Sequence, residues 1–212
     1  MRASRARTAA AWMAAALLLG AALLLARDPY ALVRAEFARQ RLAAGLSSGT
    51  VGAAGHRWID ARSDAAPPGA PMVVMLHGFT GSKENWYPLA RRLRGRYVLR
   101  IPDLPGWGAS SRIAGADYGF AAQAERVAAY LRAVSPGKRV VLLGHSMGGG
   151  IAALVAARHP ELVARVGLLD AAGVRFDDNA FGAAVLAGDN PFAVHDAASL
   201  RRYPLESPGK WS

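Results

Sequence analysis

Cysteine is absent from the 212 residues. Disulfides, thiolate nucleophiles and cysteine-ligated zinc are therefore excluded, and an exported location is neither supported nor refused. Lysine is scarce: 3 of the 26 basic residues are lysine and 23 are arginine. Acidic residues number only 15, which leaves a formal charge of +11. The arginines are scattered along the chain and form no block. A nucleic-acid surface gathers its basic residues on one face, so nucleic acid is not an expected partner. A general attraction to anionic lipid surfaces fits the charge better. The chain has no internal repeat, and its 52% hydrophobic content suits one domain with a sizeable core.

A long run that is both uncharged and apolar throughout occurs in one place. Residues 9–26 carry no charged side chain over 18 positions. As a helix they would span roughly 27 Å, close to the hydrocarbon thickness of a bilayer. Arg2, Arg5 and Arg7 precede the run. A cleaved signal peptide is the rival reading, but a cut after Ala26 would place Leu24 where a small residue is wanted. The expectation is a single-pass N-terminal anchor. Arg27, Arg34, Arg39 and Arg41 follow the run, so the positive-inside balance is nearly even. The short basic start favours a domain outside the cytoplasm.

Four segments are expected: an anchor over 1–27, a basic juxtamembrane helix and linker over 28–50, a core over 51–173, and a cap region with an atypical end over 174–212. In the second segment Pro29 suits a first helical position. Tyr30, Val33 and Phe37 fall three and four apart among arginines. Such a helix suits a membrane surface or a solvated linker equally.

Residues 56–62 alternate weakly and suit an edge strand. Residues 72–78, 97–103, 139–144 and 163–170 read as strands of a parallel sheet, and 85–95, 118–134 and 148–160 as helices. Phe120, Ala124, Val127 and Leu131 share one helix face. Alternating strands and helices predict an α/β fold, a mostly parallel sheet covered on both faces. Ligands bind beyond the carboxyl ends of such strands. Three loops at that edge carry unusual residues: "HGFTGS", "DLPGWGASS" and "GHSMGG".

Gly144-His145-Ser146-Met147-Gly148 fits G-x-S-x-G between a buried strand and a helix, the context that pattern requires. The turn is tight, and Gly144, Gly148 and Gly149 supply small neighbours. The Met147 amide starts the helix, where free N–H groups favour an anion. Phe79, after His77-Gly78, is placed to give a second amide. No lysine follows the glycines of 148–150, so a P-loop is excluded.

With these residues in view, "MLHGFTGSKENW", "IPDLPGWGASS" and "LLGHSMGGGIAALVAARHPELV" resemble an α/β-hydrolase of the serine type. The apolar start and the basic segment after it make the chain similar to membrane-anchored monoacylglycerol-lipase-like hydrolases. The motifs cover residues 72–173, about half the chain. The resemblance implies Ser146 as nucleophile, Phe79 and Met147 as oxyanion-hole amides, a carboxylic or lipid ester as substrate, and no metal or cofactor. C–C hydrolase and acyltransferase chemistry use the same elbow.

The family's chain order is serine, acid, histidine. After Ser146 the sequence offers Asp170 as acid and His195 as base. His159 would lie roughly 20 Å from Ser146 along one helix. His145 should point away, His77 holds its loop by family analogy, and His56 sits on an early strand. Asp103 is expected to shape its loop, and Trp86 and Trp107 to pack. Phe176, Phe181, Val185 and Leu186 could line an acyl pocket or pack as core. From position 200 apolar periodicity is lost and Pro204 and Pro208 appear, which suggests a truncated or frameshifted end. Little turnover is then expected, because triad members act as a unit. The contrasting reading is an inactive fragment or a membrane-bound binding module. The sequence does not speak to oligomeric state.

Overall fold

The computed structural model describes residues 26–174 without a break, with short pieces at 12–13, 15–16, 19–20, 23, 183, 187–188 and 196–199. The proposed anchor and cap therefore lie largely outside the described residues. No helix among the described residues is long and apolar enough to cross a membrane.

Helix α1 (Ala31–Ala43) leads the described core and buries no side chain of its own. Its last turn is held by Arg94, which donates from Nη1 to the Ala43 carbonyl at 3.2 Å. Ala44 and Leu46 then enter the core. Strands β1 (Ser47–Ala53) and β2 (His56–Ser63) form an antiparallel hairpin. Ala54 and Gly55 make its two-residue turn with φ of 50° and 71°, the geometry that matches strand twist.

Residues 47–50, expected as linker, are thus strand. Their serine- and glycine-rich sequence hides a solvent-facing edge strand, which needs little apolar content. The 56–62 strand is correspondingly one place in from the edge.

The rest alternates: β3 (Met72–Leu76), a 3-10 turn (Lys83–Trp86), α2 (Tyr87–Leu93), β4 (Val98–Pro102), α3 (Phe120–Val134), β5 (Val140–His145), α4 (Met147–Arg158) and β6 (Val163–Leu169). The strand order is β1-β2-β4-β3-β5-β6. β4, β3, β5 and β6 run parallel and β2 joins β4 antiparallel. The expected α/β architecture is present.

β3 shows why its sequence is apolar without alternation. Val74 and Leu76 pack with Val127, Leu131, Ile151 and Val155 of α3 and α4. Val73 and Met75 pack on the opposite face with Trp86, Tyr87 and Ala90. Both faces are covered, so both parities are apolar. On α3, Ala124, Val127 and Leu131 are buried as expected, whereas Phe120 is 41% exposed. Phe120 opens the helix, and its ring edge reaches Gly150 at the start of α4. At the far end of the strand order, β6 leaves Val166, Leu168 and Leu169 exposed.

Candidate active site

Three loops meet at the carboxyl edge of β3, β4 and β5. Ser146 stands between β5 and α4 with φ 51° and ψ −119°. A non-glycine residue there carries about 1–3 kcal/mol of backbone strain, which surrounding contacts must hold. They do so from several sides. The Ser146 N–H donates to the Leu169 carbonyl at 2.9 Å. Its carbonyl accepts from Gly149 at 2.9 Å, Gly150 at 3.1 Å and Ala172 at 2.9 Å. A Cβ on Gly148 would fall on the Leu76 and His77 carbonyl oxygens, so only glycine lets α4 start this close to β3.

The neighbouring loop is fixed through His77, which is fully buried. The Leu104 N–H donates to Nε2 at 3.0 Å, so that nitrogen carries the lone pair. Nδ1 then carries the proton and donates it to the Gly78 carbonyl at 2.8 Å. Burial pushes the His77 pKa below its ordinary value, against the pull of the Gly78 carbonyl and the Asp103 and Glu84 charges. The Gly78 carbonyl also accepts from Gly81 at 3.1 Å. In a trans peptide the carbonyl and the next N–H point to opposite sides. Fixing the Gly78 carbonyl therefore fixes the Phe79 N–H. Gly78 itself lies against the nucleophile turn: a Cβ there would sit 3.1 Å from Ser146 Cβ. Neither the Phe79 nor the Met147 N–H has an acceptor among the described residues.

Asp103 shapes its loop, as expected. It is fully buried and accepts from the Lys83 and Ala109 N–H groups at 2.8 Å each. Lys83, which sequence reading missed, adds an ammonium contact at 2.7 Å. Burial alone would lower the Lys83 pKa, but the Asp103 and Glu84 partners outweigh it and raise it. Trp107 does more than pack. Its Nε1–H donates to the Phe79 carbonyl at 2.6 Å. "HGF" and "PGWG" follow adjacent strands, which is the only sequence signal for that bond.

None of the four described histidines hydrogen-bonds Ser146 Oγ. His77 is committed to its loop. His145 is exposed and makes no hydrogen bond to Ser146, but its ring stays beside the turn: a Cβ on Gly78 would meet its Nδ1 at 3.2 Å. His56 sits 3.3 Å from Ser111 Oγ. His159 caps the far end of α4, 2.9 Å from Glu125. His195 lies outside the described residues, as do Phe176, Phe181, Val185 and Leu186. Asp170 follows β6 with φ 45° and is exposed. Its chain neighbours Leu169 and Ala172 are the ones bonded to the Ser146 backbone. Among the described residues no cluster of histidines and carboxylates could hold a metal.

A family described as "alpha/beta hydrolase fold" matches residues 71–202. A lipase of Psychrobacter immobilis is 42% identical over 101 residues, 48% of this chain and 32% of that protein. A monoacylglycerol lipase of Xenopus laevis is 32% identical over 54% of this chain and 34% of its own length. The crystal structure of a membrane phospholipase A is 36% identical with a TM-score of 0.77, covering 90% of this chain and 61% of that one. The chain thus spans about a third of the length of these two curated relatives.

Proposed function

Because the chain belongs to the alpha/beta-hydrolase fold family, we propose that it is built for hydrolysis of carboxylic esters of lipids, such as monoacylglycerols, with Ser146 as nucleophile. One observation carries this reading. Ser146 is held in a strained turn at the start of α4, beside two backbone N–H groups that have no acceptor among the described residues. Strain of this kind persists where surrounding structure holds a reactive group in place.

In the proposed reaction, Ser146 Oγ attacks the ester carbonyl carbon while a base takes its proton. The carbonyl oxygen becomes an oxyanion and receives hydrogen bonds from the Phe79 and Met147 N–H groups. The C–O bond to the alcohol breaks, the alcohol leaves with the proton, and water releases the acid from Ser146. The base is supplied from outside residues 26–174, and Asp170 with His195 is the pair this chain offers. The Psychrobacter and Xenopus relatives are a lipase and a monoacylglycerol lipase, which supports a lipid ester as the substrate class. Residues 9–26 hold the chain at the membrane in this reading.

Fluorophosphonate labelling tests the nucleophile directly. The full chain should incorporate the probe, though slowly as the expected weakness of the base requires, and Ser146→Ala should abolish incorporation. Folded protein that takes no label would overturn the reading in favour of a non-catalytic membrane-bound module.

A further inference from the structure

We infer that Trp107 is a positioning residue for the oxyanion-holding amide of Phe79. The inference rests on the nucleophile reading above and adds to it a residue that sets the geometry of the hole.

Phe79 sits between two peptide units, and each is held by its carbonyl. The unit before it is fixed by His77 Nδ1–H and the Gly81 N–H on the Gly78 carbonyl. The unit after it is fixed by Trp107 Nε1–H on the Phe79 carbonyl at 2.6 Å. Two soft dihedrals join the units, and both ends are now constrained. The Phe79 side chain is 61% exposed, so packing of the ring contributes little to holding that residue. The Phe79 N–H belongs to the first unit. Without the indole bond the second unit could rotate, and the Phe79 Cα that both units share, and with it the direction of that N–H, would lose one of its two anchors.

Trp107 is itself well braced. Its N–H donates to the Leu104 carbonyl at 2.9 Å, and its carbonyl accepts from Ser110 at 3.2 Å. Its ring meets Phe79 edge to face at 5.8 Å and Tyr118 at 6.1 Å. Tyr118 lies under the Arg126 guanidinium of α3 at 5.1 Å and accepts the Ile113 N–H at 2.7 Å. The indole therefore ties the Phe79 loop to a rigid wall running back to α3. Leu104 bonds His77 and closes the same two loops a second time.

The test compares the full wild-type chain with Trp107→Phe and with benzothienylalanine at position 107, which replaces the N–H by sulfur and keeps the ring. Three quantities are read: the second-order rate of fluorophosphonate labelling at Ser146, amide exchange over residues 78–81, and the thermal midpoint. Losing a whole oxyanion donor costs about 100-fold or more; loosening one should slow labelling by about 10-fold. Exchange over 78–81 should quicken, with the midpoint unmoved. Equal labelling and exchange in all three proteins would overturn the inference. So would a midpoint that falls in step with labelling, which would make Trp107 a residue of general stability. If the wild type takes no label, the nucleophile reading fails and exchange alone decides: faster exchange in the sulfur isostere supports the Trp107 role, and unchanged exchange removes it.

Discussion

Both ring nitrogens of His77 are committed in ways that only the neutral ring allows. Nε2 accepts from Leu104 and Nδ1 donates to Gly78, so a second proton would break the Leu104 bond. Burial holds the folded pKa below the ordinary 6.5. As pH falls, the unfolded chain takes up the proton first. The stability His77 contributes is therefore complete above about pH 6.5 and is lost as the pH falls toward the folded value. The gap in thermal midpoint between wild type and His77→Asn should narrow from pH 7.5 to pH 5.5. A gap of constant width would show that His77 does not bind its proton differently in the two states. The same residue shows how far reading at this scale could go. "HGF" pointed to a loop near the nucleophile, but the tautomer depends on Leu104, 27 residues away.

Among the elements, α3 and β2 are joined by a buried polar contact. Tyr130 donates its hydroxyl proton to Asp60 Oδ2 at 2.7 Å, and both side chains are fully buried. Arg62 Nε holds the other carboxylate oxygen at 2.7 Å. Burial, and then the Asp60 charge and hydrogen bond, push the Tyr130 pKa well above its ordinary value. Tyr130→Phe keeps the ring stacked on Trp58 at 4.7 Å but leaves Asp60 one donor short. An unmet buried acceptor costs about 1–3 kcal/mol. The urea midpoint should fall accordingly; an unchanged midpoint would mean that Asp60 is satisfied without the tyrosine. Helix periodicity revealed the α3 face through Ala124, Val127 and Leu131. It was silent on Tyr130 because a long-range polar pair leaves no period in a sequence.

At the scale of the whole molecule, the described core holds the candidate site at one sheet edge. α1 buries no side chain of its own and is bonded to that core at its last turn by Arg94. Residues 9–26 precede α1, and their uncharged length is the basis for placing the chain at a membrane. Deleting residues 1–27 should move the protein from the alkaline-carbonate pellet to the supernatant. If the full chain is itself extracted by carbonate, residues 9–26 do not anchor it.

By itself the sequence determined the parallel sheet, the elbow at Ser146 and the loops beside it. These are local: buried strands need unbroken apolar runs, and the tight turn and the close start of α4 need glycine. The tertiary structure alone decided three further points. It made 47–50 a strand, because pairing with β2 supplies the backbone partners that its sequence does not announce. It placed Lys83 on Asp103 and Trp107 on the Phe79 carbonyl, contacts across 20 and 28 residues of chain. It also left every described histidine without a hydrogen bond to Ser146 Oγ, with His56, His77 and His159 held by other partners. Hydrogen-bond partners distant in sequence are chosen by how strands and helices pack, and no spacing along the chain encodes that choice.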